Sequence, residues 1–179
     1  QIQSILSGDT GQKKVRLNIT RSLTRLKSVF ISLDREVFSE SDFIGRKSWN
    51  DFYSPMHGYA MDGKRIFNSL GEFEAQIQLG SKLYPEYPIR SHAEAYYQLS
   101  KTLGVQSSKV HGFDISSAQY RDYRFVLAID MERVIDAGFT GMNTRAGDIL
   151  NIRFDHQDTL PNNYATSMHV VLHSDNIME

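Results

Sequence analysis

The sequence contains no cysteine, only four prolines and no long apolar run. The lack of cysteine excludes disulfide frameworks, thiol nucleophiles and cysteine-based zinc sites, and it suits a reducing compartment. No apolar segment approaches the roughly 18 residues of a membrane-spanning helix, so we expect no membrane span. A strong net charge is also missing, because 20 Lys and Arg residues stand against 21 Asp and Glu residues without a basic block. Direct, sequence-specific binding of nucleic acid is therefore not expected.

The short motifs of nucleotide binding and hydrolysis are missing as well. There is no P-loop, nucleophile elbow, H-E-x-x-H or dinucleotide fingerprint. The opening stretch "QIQSILSGDTGQ" has neither an initiator Met nor a signal-peptide core. Length and composition predict one globular domain over residues 1–179, and the opening predicts that this domain is a fragment of a longer chain.

What the sequence has instead is an alternation of apolar and polar residues with a period of two. The segments "KVRLNIT", "EFEAQIQLG", "DILNIRFD" and "SMHVVLHS" each read as a half-buried strand. The segments "LKSVFISL" and "FVLAIDM" are apolar on both faces, which predicts more central strands in which Leu26 and Phe30 face away from Val29. Short strands near residues 83–84 and 110–113 raise the expected number to eight.

The inward positions of these strands predict a single core between two antiparallel sheets. Its members are Val15, Leu17, Ile19, Val29, Ile31, Phe73, Ile77, Leu79, Leu127, Ile129, Leu150, Ile152, Phe154, Val170 and Leu172. Strands dominate and no βαβ alternation is present. The predicted fold is therefore an all-β, antiparallel, eight-stranded jelly-roll sandwich.

One short helix is predicted between the strands, over residues 91–103. Ser91 followed by Glu94 forms a capping box, and Gly104 supplies a left-handed end. Helical spacing produces an apolar stripe of Ala95, Tyr96, Leu99 and Leu103. We expect this helix to lie across one end or edge of the sheets.

The segment from Asp34 to Leu70 has no sustained period but is rich in aromatic residues, which predicts a long ordered loop. Aromatic residues, Met and Arg are enriched where subunits bury surface against each other. We therefore place candidate subunit contacts in residues 46–67 and in the helix. The candidates are Trp49, Phe52, Tyr53, Tyr59, Phe67 and Tyr96.

Histidines provide the first candidate chemistry. His169 and His173 would share a metal on a helix, but their segment is predicted to be a strand. On a strand the two side chains lie about 13 Å apart, which is too far for one zinc ion. The stretch "FDHQD" offers Asp155, His156 and Asp158 as cation ligands or as a base, although such clusters at strand ends are typical of turns. We expect no metal and no cofactor.

Acidic residues provide two further candidates. Glu72 and Glu74 share a face, as a glycosidase pair would, but no aromatic sugar platform accompanies them, which favours a wet sheet surface. Asp130 lies on an apolar run and needs a partner, for which Arg133 and Arg145 are candidates. Structural pairing is favoured over catalysis. With no converging nucleophile, base and oxyanion donors, we expect that the protein is not an enzyme.

The loop "GFTGMNTRAGD" looks at first sight as though it could hold a phosphate. A phosphate site would need glycines that lead from a strand into a helix N-terminus. This loop leads instead into the alternating strand "DILNIRF", and its Gly, Asn and Thr residues are turn formers. It therefore predicts a connection between two strands.

Four stretches occur in a characteristic order: "LYPEYPIRSHAEAYYQLSKTLG", "FDISSAQYRDYRFVLAIDM", "NTRAGDILNIRFDH" and "MHVVLHSDNIME". This order resembles the C-terminal jelly roll of double-jelly-roll major capsid proteins, especially those of Polinton-like viruses and virophages. In that family a helix-bearing stretch precedes a "YRDYRF"-like strand entry, and an "RxGD" strand and a closing strand follow. The resemblance spans residues 26–179.

The resemblance implies a viral structural protein that is located in the virion and assembled inside the host cell. Its subunits would self-associate into capsomers, most plausibly trimers, which tile with other capsid subunits into an icosahedral shell around double-stranded DNA. No active site or cofactor is implied. Only one jelly roll fits into 179 residues, so a capsid protein with a single jelly roll stays an alternative within the same function.

Two functions of other classes stay open. A carbohydrate- or receptor-binding jelly roll would use "KSWNDFYSPMHGYAMDGKRIF" as a stacking platform, because aromatic faces pack on sugars and peptides. A cupin-like metalloenzyme would need two His and a carboxylate converging inside the barrel. The histidines of this sequence fall outside the alternating inward positions.

Overall fold

Alternating side chains form antiparallel strands along most of the described chain. The computed structural model describes residues 2–4, 12–21, 23–34, 52, 54–55, 57–59, 65–67, 72–104, 115–122, 124–132, 141–142, 144, 149–157 and 167–175. In chain order the elements are β1 (Ile2–Ser4), β2 (Gln12–Ile19), β3 (Arg25–Asp34), β4 (His57–Tyr59), β5 (Arg65–Phe67), β6 (Glu72–Leu79), β7 (Lys82–Ile89), α1 (His92–Thr102), α2 (Ser117–Asp122), β8 (Val126–Asp130), β9 (Leu150–Gln157) and β10 (Ser167–Asp175).

Two four-stranded sheets form a sandwich. Sheet I has the strand order β1-β10-β3-β8, and sheet II has the order β2-β9-β6-β7. The antiparallel pairs β1·β10, β2·β9, β3·β8 and β6·β7 join the first sandwich strand to the last, the second to the second last, and so on inward. The chain is thus one long hairpin wound into two layers, which is the jelly-roll topology. The predicted antiparallel sandwich is confirmed.

The core lies between the sheets, where the alternation predicts it. All the predicted core side chains are buried except Leu172, which is partly buried and packs against the core. In sheet II, Ile152 lies opposite Leu17 on one side and Ile77 on the other. A slip of one residue would turn every side chain of this row outward, so burial fixes the register.

The position of Leu26 differs from the prediction. The strict period of two places Leu26 on the opposite face from Val29, yet its side chain is fully buried in the core. The reason is a break in the pairing of β3 with β10, where Ser28 pairs with His173 and Leu26 with Ser174, so that Lys27 is skipped. Such a bulge reverses the facing of the residues that precede it.

Helix α1 begins with the predicted cap. The Ser91 hydroxyl accepts a hydrogen bond from the Glu94 N–H at 3.2 Å, and the Glu94 carboxylate accepts one from the Arg90 N–H at 2.8 Å. The first bond satisfies one of the donors that a helix start leaves without a partner, and the second ties the Glu94 side chain to the residue before the cap. The left-handed conformation of Gly104, with φ of +69°, follows the helix end as expected.

The packing of α1 also places it at an edge of the sandwich, as predicted. Ala95 and Leu99 are buried, and the helix packs on β8, the terminal strand of sheet I. Leu103 was predicted to belong to the apolar stripe, but it is 46% exposed. It is the C-cap residue, so it lies beyond the turns that contact the sheet.

Four elements, namely α2, β4, β5 and β1, depart from the predicted organisation. The described residues contain a second helix, α2, between α1 and β8. Strands β4 and β5 form a separate antiparallel ribbon inside the segment predicted as a loop. The strand β1 pairs with β10 although the opening stretch shows little alternation. The strand predicted near residues 83–84 exists as β7, and that near 110–113 lies outside the described residues.

Truncation of Ile152 tests how much the core contributes to the stability of the fold. Ile152→Ala should lower the free energy of unfolding by about 2–5 kcal/mol, because its fully buried side chain would leave a cavity. Urea denaturation at neutral pH measures the loss. Val171→Ala is the matched control: Val171 is 61% exposed, and its truncation should change stability by less than about 0.5 kcal/mol. Equal losses in the two variants would contradict the assignment of the core.

Candidate functional site

The residues proposed for subunit contacts have different surroundings. Trp49 and Tyr53 lie outside the described residues. Tyr59 and Phe67 lie in the ribbon, where Tyr59 pairs with Arg65 and Phe67 pairs with His57. Backbone pairing in the ribbon therefore positions Tyr59 and Phe67, two aromatic residues of the stretch 46–67, which we call the aromatic segment.

Phe52 and Tyr96 are both tied to the rest of the domain. The Phe52 carbonyl accepts a hydrogen bond from the Phe125 N–H at 3.2 Å, while its side chain is 36% exposed. The Tyr96 hydroxyl donates to the Ile115 carbonyl at 3.1 Å, and its ring packs edge-on against Tyr120. Tyr96 thus contributes mainly to packing inside the domain, whereas Phe52 also presents apolar surface.

A hydrogen-bonded pair of Ser54 and His92, which sequence reasoning missed, joins the aromatic segment to α1. The Ser54 hydroxyl lies 2.6 Å from Nε2 of His92, within the range of a nucleophile and its base. Ser54 is only 1% exposed, and the imidazole ring stands edge-on to Phe73 and Phe125. This burial favours a structural pin between the aromatic segment and α1. No local pattern could have announced a pair separated by 38 residues.

The predicted metal candidates do not come together among the described residues. His169 and His173 lie on β10 with Met168 and Val170 of the same strand pointing into the core. His173 instead lies 3.3 Å from the Ser28 hydroxyl through Nδ1. Within the described ranges, no group of three His, Asp or Glu side chains is placed to hold a metal ion.

Most of the "FDHQD" stretch, from Phe154 to Gln157, belongs to the strand β9. Asp155 and His156 lie in β9, and Asp158 lies outside the described residues. The Asp155 carboxylate accepts two hydrogen bonds from the Arg16 guanidinium across the β2·β9 pair. The hydrogen bond from Arg16 is the largest cause that lowers the pKa of Asp155. The lowered pKa makes the Asp155 carboxylate a weak base, and both of its oxygens already accept hydrogen bonds from Arg16, so it is poorly suited to take up a proton.

The other acidic candidates also have structural partners. Asp130 accepts a hydrogen bond from the Glu132 N–H at 2.9 Å and lies 3.8 Å from the Lys101 ammonium of α1. Arg133 and Arg145, the predicted partners, lie outside the described residues. Glu74 pairs with Arg90 at 2.8 Å. The Asp130 carboxylate thus links β8 to α1, and the Glu74 carboxylate links β6 to the residue that follows β7.

Two described residues of the glycine-rich loop, Met142 and Thr144, are held in place by hydrogen bonds to Leu26 and Leu23. Met142 and Leu26 exchange two backbone hydrogen bonds of 2.9 Å, and the buried Thr144 hydroxyl accepts the Leu23 N–H at 2.7 Å. Gly141 has a φ of +147°, and a Cβ built there would lie 3.2 Å from Cα of Arg25. The loop therefore docks its backbone against the start of β3.

Four large apolar side chains remain exposed on β7 and on α1. β7 and β8 are the terminal strands of their sheets and contact each other, and α1 packs on β8. We call the exposed surface of β7 and α1 the lateral edge. Its apolar members are Leu83, Tyr87, Tyr97 and Leu103.

Comparisons with known proteins identify no relative. No family model, no curated protein and no solved structure matches the chain significantly. The function must therefore be inferred from the geometry of the chain itself.

Gly141→Ala should destabilise the domain by about 1–3 kcal/mol, because the added methyl group meets backbone atoms and the φ is unfavourable for a side chain. Thermal or urea unfolding measures the effect. Gly104→Ala is the control, since its φ is also positive but nothing lies within 4 Å of a Cβ there. A smaller loss is expected for Gly104→Ala, and the reverse order would argue against a close approach at Gly141.

Asp155→Asn should reduce stability at pH 7 by less than about 1 kcal/mol, because Arg16 is 41% exposed and solvent screens the pair. The folded-state pKa of Asp155 is lowered, so its contribution is complete above the unfolded-state pKa of about 3.9 and disappears as the pH falls through the folded-state value. Urea unfolding of both proteins between about pH 7 and pH 2 measures this difference. Arg16→Gln should remove most of the same pH-dependent part, since Arg16 is the largest of the causes that lower the pKa of Asp155 and Lys14 and Arg153 contribute less. A difference that persists undiminished at the acid end would refute the ion pair.

Proposed function

We propose that this chain is a jelly-roll domain of a viral major capsid protein, which acts by self-association and not by catalysis. The jelly-roll strand order is the observation that carries the proposal. The stretches on which the resemblance rests fall on helices and strands in the order that the resemblance implies. Both helices precede β8, "DILNIRF" enters β9, and "MHVVLHS" lies in β10.

The lateral edge supports association through side chains. Tyr87 is 80% exposed and Tyr97 is 58% exposed, and tyrosines are enriched in buried contacts between proteins. The strand β7 contains Pro85 and Pro88, which lack the N–H groups that strand addition needs. A neighbour would therefore pack its side chains on this edge and would not extend sheet II.

The alternatives find less support in the described residues. A cupin-like site would need two inward histidines and a carboxylate. Of the histidines whose side chains are described, His92 packs against the core rings of Phe73 and Phe125, whereas His169 and His173 alternate with the core residues Met168 and Val170. A carbohydrate-binding platform would be centred on Trp49, outside the described residues; loss of sugar binding in Trp49→Ala would favour it. None of the described helices is long and apolar enough to cross a membrane.

Sedimentation velocity on the full-length protein tests the proposal. We expect a multimer, because a capsid subunit must bury surface against its neighbours and specific interfaces usually bury at least about 1,200 Å². The expected multimer is the trimer that the resemblance to capsid proteins implies. The double variant Tyr87→Asp/Tyr97→Asp should shift it towards monomer, since it places charges in an apolar contact.

Val171→Asp is the matched control, because Val171 is equally apolar and 61% exposed but lies on β10 of sheet I. This variant should keep the multimer. A protein that is monomeric at high concentration would rule out the capsid function. Dissociation by the control alone would move the contact away from the lateral edge. The companion variants Trp49→Asp and Tyr53→Asp test the aromatic segment in the same assay.

A further inference from the structure

A bulge in β7 carries Tyr87, the most exposed large apolar side chain of the lateral edge, with 80% of its surface accessible. The pairing of β7 with β6 is interrupted between Tyr84 and Ile89. Four residues of β7, 85–88, therefore lie opposite a single residue of β6, Gln76. We call these four residues, Pro-Glu-Tyr-Pro in sequence, the PEYP bulge. Bulged residues leave the strand ladder, which re-aims their side chains.

The PEYP bulge is anchored at both ends and in its middle. Ile89 is buried in the core, and Tyr84 packs against the core. The Gln76 side-chain nitrogen donates hydrogen bonds of 2.9 and 3.2 Å to the carbonyls of the first two bulge residues. The two prolines fix their own φ, and the second also restricts the backbone of Tyr87 before it. The backbone of Tyr87 is therefore fixed in advance, so a contact through its ring loses little conformational freedom.

A cleft with a volume of about 430 Å³ lies between α1 and α2. Its deepest lining is aromatic, because Tyr120 is 1% exposed and the half-buried ring of Tyr96 packs edge-on against it, with 5.1 Å between the ring centroids. The small, exposed side chains of Ala93 and Ala118 also line the cleft. Pockets that enclose small molecules have volumes of about 300–1,000 Å³, and aromatic rings pack well on one another. The cleft therefore suits one more aromatic ring.

The charges beside Tyr87 and beside the cleft are opposite in sign. Glu86 is the exposed neighbour of Tyr87 in the bulge, and Arg121 is an exposed residue of the cleft lining. Arg121 already has a contact within its own chain, but a guanidinium has five N–H donors and can bind a second partner. Tyr87 does not line the cleft of its own chain, and its bulge is anchored at both ends. A ring that fills the cleft must therefore come from another molecule.

We propose that Tyr87 of one subunit inserts into the cleft between α1 and α2 of a second copy of this chain, and that Glu86 pairs there with Arg121. The proposal rests on the self-association proposed above and names the contact through which it occurs. Tyrosines that fill pockets are typical anchors of protein interfaces, in which a few residues provide most of the binding energy. Tyr96, a contact candidate from the sequence, would touch the inserted ring.

Sedimentation velocity on the full-length protein tests this contact with one variant on each side. Tyr87→Ala removes the ring, and Ala118→Trp fills the cleft from an exposed position. Each variant should raise the Kd of self-association at least about tenfold. Thr20→Trp is the matched control, because Thr20 is also exposed but follows β2, which lies at the opposite end of sheet II from β7. The control should leave the Kd unchanged.

An equimolar mixture of Tyr87→Ala and Ala118→Trp tests whether ring and cleft belong to different copies. The first variant keeps the cleft and the second keeps the ring, so the mixture should form complexes that neither variant forms alone at the same concentration. Charge reversal tests the ion pair. Glu86→Arg and Arg121→Glu should each weaken association, and their combination in one chain should restore part of it.

Circular dichroism establishes that the variants are folded, and Ala93→Trp fills the same cleft from α1 if Ala118→Trp does not fold. A wild-type protein that stays monomeric at high concentration overturns this contact together with the capsid function. Three results overturn the contact alone: a multimer that survives filling of the cleft, equal dissociation by Thr20→Trp, or a mixture that forms no complex. The capsid function is not affected by these three results.

Discussion

The register between β9 and its two neighbours is the constraint on which the rest of this structure depends. Leu17, Ile152 and Ile77 lie in one row across three strands of sheet II, all with their side chains in the core. The same register places Asn18, Asn151 and Gln78 in a row on the outer face. Since successive strand residues alternate between faces, burial of the apolar row determines which polar side chains meet outside.

Helix α1 covers the side of the sandwich at which β7 and β8 end the two sheets. The side bounded by β7 and β8 is the one on which α1 packs. Around the start of α1, His92 joins a buried set of aromatic rings with Phe73 and Phe125, and Ser54 anchors the aromatic segment to it. The buried residues Ala95 and Leu99 of the helix therefore complete the core, while Tyr97 of the same helix stays exposed.

The lateral edge offers apolar area with little charge, which suits a large protein partner whose contact excludes water. A formal net charge of −1 leaves little long-range repulsion against association, so local contacts decide whether subunits join.

The sequence by itself determined most strands of the sandwich, most of their inward residues and the capped helix, because each depends on neighbours within a few positions. Alternation in "KVRLNIT" and "DILNIRFD" is a local signal, and so is the Ser91–Glu94 cap. Only the tertiary structure decided the bulge at Lys27, the Ser54–His92 pair and the meeting of Arg16 with Asp155. Their partners are tens of residues or more apart, and a period of two says which face a side chain takes but not which strand lies beside it.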